Sequence, residues 1–392
     1  MQISKNKRRS VLVILANVKQ YRKVFYEQLY EALAASDVDL TVMYSDSNTL
    51  VALRRDDVDL SPPLGKKIPR LYLFNNRLFL QFPPLSAIFR ADLIIVVQAT
   101  RILLNYPLLA LSALGLKRIA FWGHGKNLQG DPSSISERIK RRLANASDWW
   151  FAYTVDTRQH LVSIGVLPRK ISVIENAIDT AGFRKEVSSV TPADLASMRM
   201  RLGIKDNDPV GLYCGALYRE KRLPFLLDCA GLIAAAIPGF HLIVIGGGPE
   251  ADFISLHAAY CPHVSYLGPL VGNDKAVCFR MAQVFLMPGL VGLAILDSFA
   301  ANLPLITTVD ALHSPEIAYL ENGVNGLMLS GDSQAYANGV VELLRDTQRL
   351  KLLSINAGLT AARYTIENMV YNVTSGILDA LGRKPGHRAG GI

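Results

Sequence analysis

Val11-Leu-Val-Ile-Leu-Ala16 is a continuous apolar run bounded by Arg8-Arg9-Ser10 and by Asn17. A β-branched run of this length predicts a strand buried on both faces, as in parallel sheets. Val24, Phe25, Leu29 and Leu33 then recur at helical spacing, so a helix with one apolar face follows. The alternation continues with strands expected at 38–44, 92–97, 118–122 and 149–153 and helices at 102–113 and 135–144. It restarts in the second half, with strands at 209–214, 241–245, 264–267, 284–287 and 304–308 and helices at 224–235, 274–282 and 292–301. Strand–helix alternation of this kind predicts an α/β fold of two Rossmann-like, doubly wound domains. The polar stretch 180–208 reads as a linker, and 346–381 as a closing helical stretch. The expected domains are 1–180, 181–365 and a returning helix with tail, 366–392.

Composition supports two large cores: half of the 392 residues are hydrophobic and 19% are charged, which excludes a disordered chain. Cys214, Cys229, Cys261 and Cys278 form no CxxC or zinc-ligand spacing and read as buried thiols in a reducing compartment. No window reaches the roughly 18 apolar residues of a membrane span. The nearest, 102–116, is broken by Asn105, Pro107 and Ser112, and 11–16 is too short for a signal-peptide core. The net charge of +9 is unevenly placed. Residues 1–180 hold 25 Lys/Arg against 15 Asp/Glu, and the remainder 17 against 18. The positive field of the first half points to an anionic partner, nucleic acid or an anionic membrane surface.

Open α/β sheets bind ligands beyond the carboxyl ends of their strands, so the strand-end loops hold the candidate chemistry. Gly215-Ala-Leu-Tyr-Arg-Glu-Lys-Arg222 brings Arg219, Lys221 and Arg222, which suit a diphosphate; a solvated basic loop is the alternative. Gly246-Gly-Gly-Pro-Glu250 admits close backbone approach, by a ligand or simply in a tight turn. Pro288–Asp297 carries a strand end into a helix near Gly292, where free amides suit an anion. Asp297, on that helix, is either a ribose-binding carboxylate or an ordinary helix acid. Glu316 in His313-Ser-Pro-Glu316 is a polar contact or a first-turn acid. In the first half, His124 stands between Gly123 and Gly125 just past a strand end, a place suited to meeting a ligand. Asn17, Tyr21 and Arg22 after the first strand, with Lys126, are the candidate acceptor-binding residues.

Taken in order, these segments resemble the GT-B glycosyltransferases, specifically the retaining family 4. Ile174-Glu-Asn-Ala-Ile-Asp179 resembles the family's "PNGVD" segment, and Gly215–Lys221 its phosphate loop. Leu242–Gly248 resembles "L.IIG.GP", Val264–Gly268 "V.FLG", and Pro288–Leu305 "PS..EGFG…LEAMA.G.PVI". Glu316 with Asn322-Gly-Val-Asn-Gly326 resembles "E.I..G.NG". The resemblance implies two domains facing a cleft and a last helix crossing back to the first domain. It implies Lys221 and Gly215 on the donor diphosphate, with Arg219 as a second cation. Gly246, Gly248, Gly268, Gly289, Gly292 and Leu293 would line the donor, and Asp297 would hold the ribose. Glu316 would add a donor contact, and His124 would meet the transferred sugar. It further implies transfer with retention from a UDP-, GDP- or dTDP-sugar, without a bound metal, to a glycan or lipid-linked acceptor. Such transfer belongs to bacterial cell-surface polysaccharide or glycolipid synthesis at the cytoplasmic face of the inner membrane.

Three departures stand out. Eight positions before Asp297, where the family has its first glutamate, the chain has Gly289; Asp297 itself stands for the second glutamate and is one methylene shorter; and the loop arginine is Ala216. They leave a non-catalytic partner of the same fold as an alternative, beside a nucleotide-sugar epimerase. Nucleic acid is set aside for want of a recognition motif. Arg70, Arg77 and Arg90 interleave with Tyr72, Phe74, Phe79, Phe82 and Phe89. Such mixing suits a bilayer surface; packing inside the first domain is the alternative.

Overall fold

The computed structural model describes residues 8–46, 57–125 and 135–382. The chain divides into two units, Met1–Asn176 with Ile366–Ile392, and Ala177–Thr365. In the first unit the strands are β1 (Arg9–Ile14), β2 (Val38–Tyr44), β3 (Gly65–Lys67), β4 (Arg70–Leu73), β5 (Leu78–Gln81), β6 (Leu93–Val97), β7 (Ile119–Gly123), β8 (Trp149–Ala152) and β9 (Ile171–Val173). Among the described residues, seven of them form one sheet in the order β3-β2-β1-β6-β7-β8-β9, every neighbouring pair parallel. The apolar runs of β1, β6, β7 and β8 are the interior of this sheet, which is why they carry no polar alternation. β4 and β5 form a separate antiparallel hairpin.

In the second unit the strands are β10 (Val210–Cys214), β11 (His241–Ile245), β12 (Val264–Tyr266), β13 (Val284–Leu286), β14 (Leu305–Thr308) and β15 (Gly326–Leu329). They pair in parallel in the order β12-β11-β10-β13-β14-β15. The order reverses between β10 and β13. Chain leaving the carboxyl ends of these two strands diverges to opposite sides, and a crevice opens where open sheets bind ligands. The loops 215–222 and 287–293 flank that switch point.

The stretch 180–208 is not a linker. It forms helices Thr180–Ser189 and Pro192–Leu202. Asp179 caps the first through the Gly182 amide, Thr191 and Asp194 close a capping box on the second, and Gly203 ends it in the left-handed region at φ 67°. The closing helical stretch is two helices, Thr347–Ala361 in the second unit and Ile366–Gly382 in the first. The latter packs on helix Lys23–Ala34, and Gly376 lies against Ser172 and Phe151, where a Cβ would come within 2.5 and 2.8 Å of their atoms. Among the described residues no helix is long and apolar enough to cross a membrane.

Candidate functional site

At the β10/β13 switch point the backbone of 287–291 is tied down from every side. Thr307 and Thr308 hydroxyls donate to the Met287 and Pro288 carbonyls, each at 2.7 Å. The Leu290 amide donates to the Glu220 carbonyl at 2.8 Å, and the Lys221 ammonium donates to the Leu290 carbonyl. The Val291 amide donates to His313 Nδ1 at 3.2 Å, and the Val291 carbonyl accepts from the Ser314 amide at 2.9 Å. His313 Nε2 lies 2.9 Å from the Thr308 carbonyl, so Nε2 carries the proton and Nδ1 accepts. Burial lowers the His313 pKa; the Thr308 carbonyl works the other way, and the Lys221 charge adds to the lowering.

Gly289 sits under this knot. A Cβ there would lie 2.3 Å from the Lys221 carbonyl carbon and 2.4 Å from the Glu220 carbonyl oxygen. Both are backbone atoms, so no side chain fits without moving the 219–222 turn. Where the resemblance leads one to expect a glutamate, the fold has a backbone-on-backbone contact.

Lys221 is the electrostatic centre of the site. It is 5% exposed, its Nζ is 3.7 Å from Met287 Sδ, and no carboxylate pairs with it among the described residues. Desolvation pulls its pKa down to about 8. A buried ammonium without a counter-ion is costly, and it is suited to an anion brought from outside. Arg222, in the left-handed region at φ 56°, turns to Asp310 and Thr308 at 3.1 Å. Arg219 is exposed.

Next to Lys221, Gly292 and Leu293 lead into the seven-residue helix Ala294–Ala300, and a Cβ at Gly292 would meet only Ser314 Oγ, at 3.8 Å. Asp297 on that helix is paired with Lys275 at 3.0 Å, with side chains 19% and 22% exposed. Burial works against the Lys275 charge, but Asp297 and the Cys214 thiol raise its pKa on balance. Lys275 lies in the first turn after Gly272, at the same carboxyl end of the sheet, and its stem rests on Phe183 and Phe279.

The glycine turn after β11 serves the chain itself. A Cβ on Gly246 would stand 1.8 Å from the Gly215 carbonyl oxygen, and one on Gly248 would stand 2.3 Å from that of Leu217. Gly246 and Gly248 make room for the 215–217 loop, as the tight-turn alternative has it. Gly268, at φ 68°, has open space at its Cβ position, and its carbonyl accepts from the Gly246 amide at 2.9 Å. Glu316 is buried in the turn Pro315–Tyr319. In the neighbouring Asn322–Gly326 segment, Asn325 is fully buried, bonding the Glu321 amide, the Tyr319 carbonyl and the Thr360 hydroxyl.

In the first unit His124 is exposed, its ring edge-on to Tyr153 at 4.5 Å. Asn17 donates to Asp57 at 2.7 Å, which Lys19 also meets at 2.9 Å, and Tyr21 is 45% exposed. Arg22 is not available to an acceptor. It is buried, donates to Asn176 Oδ1 and reaches Met369 Sδ at 3.3 Å, fastening the start of one helix to the last helix. Lys126 lies outside the described residues. The Arg–aromatic segment divides: Arg70 stacks on Tyr72 and the buried Phe79, whereas Phe74, Arg77, Phe82, Phe89 and Arg90 face solvent.

The model of "Glycosyltransferase Family 4" matches residues 23–181, nearly all in the first unit, and that of "Glycosyl transferases group 1" matches 208–346, in the second. The chain belongs to the GT-B, family 4-like glycosyltransferases. Its fold is similar to that of Anabaena Alr3699/HepE solved with UDP, at TM-score 0.67 and 15% identity over 94% of this chain and 99% of that one. Sucrose-phosphate synthase from Thermosynechococcus elongatus aligns at TM-score 0.68 and 16% identity over 96% and 100%. Among curated relatives, alpha-monoglucosyldiacylglycerol synthase of Acholeplasma laidlawii is 23% identical over 204 residues, 50% of either chain. The chain spans about half the length of the curated relatives it matches.

Within this family member, Lys221, Gly289, Gly292 and Leu293 come together at one switch point. Sequence reading left His313 and Lys275 without a role. Both were within reach of the rule that pointed to the other residues, since each follows the carboxyl end of a strand. Among the described residues no group of three His, Cys, Asp or Glu could hold a metal ion.

Proposed function

We propose that this chain transfers a sugar, with retention, from a nucleoside-diphosphate sugar to a glycan or lipid-linked hydroxyl. The observation that carries the reading is Lys221, a buried, unpaired ammonium at the switch point of the second unit's sheet. The diphosphate supplies the counter-ion the fold withholds. As the bond between the anomeric carbon and the diphosphate oxygen breaks, Lys221 and the amides around Gly292 neutralise the negative charge of the leaving group. The acceptor hydroxyl attacks on the face the diphosphate vacates. Asp297, held by Lys275, takes the ribose hydroxyls, and Arg219 supplies a second cation. His124 orients the transferred sugar. Charge neutralisation rests on these groups, so we expect turnover without added metal. Relatives named for diacylglycerol and phosphatidyl-myo-inositol glycosylation support a lipid-bearing acceptor. The exposed Phe74 and Phe89 beside Arg77 and Arg90 support a first unit resting on an anionic membrane surface, at the cytoplasmic face.

A thermal-shift panel of UDP-, GDP- and dTDP-sugars tests the donor. At least one raises the unfolding midpoint by mass action. No shift with any of them refutes the reading. Binding without nucleotide release in the presence of lipid and glycan acceptors would instead favour a non-catalytic partner, a possibility the substituted Gly289 keeps in view.

A further inference from the structure

Away from the strand ends, the first unit carries a polar hollow of its own. The six-residue helix Leu85–Arg90 packs against β1. Beside it lies a cavity of about 220 Å³ lined by Ser10, Thr41, Lys66, Ser86 and Arg90 with a few apolar groups and no carboxylate. Strand alternation separates the two lysines of β3. Lys67, on one face, is neutralised by Asp46 at 2.8 Å and Asp59 at 3.1 Å. Lys66, on the other, lines the cavity together with Arg90, and neither has an ion-pair partner among the described residues.

Two unpaired cations and three hydroxyls complement a tetrahedral oxyanion. The volume is below the roughly 300–1,000 Å³ of pockets for larger ligands. It suits a phosphate ester of glycerol size rather than a nucleotide sugar. Exposed groups elsewhere on the same unit indicate where that phosphate comes from. Leu85 and Phe89, one helical turn apart on the same short helix, are 70% and 58% exposed. Phe74, 73% exposed at the β4–β5 turn, opens three consecutive left-handed residues with φ of 51°, 52° and 66°. Bulky side chains avoid that region, so a phenylalanine kept there in water has a use outside the fold. Residues 61–91 contain five Lys/Arg and no Asp/Glu. Lys67 is compensated by Asp46 and Asp59; exposed aromatic and aliphatic groups set among the other four cations match an anionic bilayer interface.

We propose that this cavity binds the phosphate of an anionic phospholipid headgroup while Phe74, Leu85 and Phe89 enter the interface. The inference rests on the reading that the acceptor lies at a membrane, and it adds a specific lipid site, separate from the donor loops.

The test is co-sedimentation of the full chain with phosphatidylcholine vesicles, with and without a minor fraction of phosphatidylglycerol. The cavity variant is Lys66→Ala/Arg90→Ala. The apolar variant is Phe74→Ser/Leu85→Ser/Phe89→Ser, and the charge control is Arg169→Ala/Lys351→Ala at exposed sites elsewhere. Each variant is first checked for an unchanged thermal response to the donor sugar nucleotide. The cavity variant should lose about tenfold or more in affinity for the anionic vesicles, and the control far less. The apolar variant should lose binding as well. Soluble glycerol phosphate should compete with wild-type binding and not bind the cavity variant. If wild type ignores anionic vesicles, the membrane reading itself is wrong. If wild type binds them and the cavity variant binds equally, only the headgroup site is wrong. If glycerol phosphate binds the cavity while vesicle binding is unchanged by its loss, the ligand is a soluble phosphate and the lipid assignment is overturned.

Discussion

If Lys221 meets the donor diphosphate, binding must change its proton occupancy, and the change can be counted. In the free protein its pKa is pushed down to about 8 by burial. A diphosphate beside it removes the reason for the depression and returns the group toward its ordinary value of about 10.5. At pH 8.5 the free lysine is then roughly one-quarter protonated and the complexed one almost fully, so binding takes up about three-quarters of a proton. Other nearby groups stay silent there. His313 is lowered from its usual value and is already neutral, and Lys275 is raised and stays charged. Isothermal titration of the nucleotide selected by the thermal-shift panel, in buffers of different ionisation enthalpy, reads the uptake as a slope. Near pH 7 the slope should fall almost to zero. Tight binding at pH 8.5 with no proton uptake would refute the contact. The same lysine has a stability signature. Between about 8 and 10.5 the unfolded chain holds a proton that the folded chain lacks. Wild-type stability therefore rises with pH across that window relative to Lys221→Met, by about 3 kcal/mol in all. At pH 7 the methionine variant escapes the desolvation cost but leaves the Leu290 carbonyl unbonded, an offset of about 1–3 kcal/mol. It should melt no lower than wild type while binding the nucleotide far more weakly.

Gly289→Ala forces a methyl group onto the Glu220–Lys221 backbone and should cost about 1–3 kcal/mol in urea unfolding, together with nucleotide affinity. An unchanged midpoint with intact binding would show that the turn yields freely. Lys275→Met and Asp297→Asn each dissolve the same ion pair and should raise the donor KM about tenfold; the double variant should do no worse than either. Fully additive losses would mean that the two act separately. His124→Ala should lower kcat about a hundredfold with nucleotide affinity kept, because His124 belongs to the first unit and the nucleotide loops to the second. Equal losses in both quantities would rule out a role confined to the sugar.

Much of the architecture was legible because the inner strands of both parallel sheets are buried, so β1, β6 and β8 stand out as apolar runs; β2 still shows through its alternation around Asp39 and Thr41, whereas the polar β3 gave no signal. The expectations 38–44 and 241–245 coincide with β2 and β11 at both ends. The stretch 180–208 misled because its helices bury few side chains, Thr180, Phe183 and Val187 in the first and Met198 in the second, so neither shows a wide apolar stripe, although Thr191-Pro-Ala-Asp194 and Gly203 announce one of them through its caps. Arg22 misled for a different reason. Its place after β1 suits a ligand contact, but Asn176 and Met369, far along the chain, close over it, and no local pattern reports that. Gly246 and Gly248 were rightly read as points of close approach, yet what approaches is the carbonyl of Gly215 or Leu217. A glycine shows that something comes near without showing whether it is ligand or chain.

Gly289 joins these lessons. From sequence it is a missing acid, and a missing acid invites the conclusion that the chemistry is lost. In the fold it is what lets the 219–222 turn lie flat on the 287–291 loop. That contact brings the Lys221 ammonium onto the Leu290 carbonyl and buries it. A glutamate at 289 would need the space the turn occupies and would set a carboxylate beside the lysine, giving it a permanent counter-ion. With glycine there, the lysine stays unpaired and its pKa stays depressed. The glycine thus leaves the buried lysine with a stronger demand for an external anion. It follows that Gly289 and Lys221 are coupled. In a Lys221→Met background, Gly289→Ala should lose no further nucleotide affinity, whereas its unfolding cost should persist, because the methyl group meets backbone and not the lysine side chain.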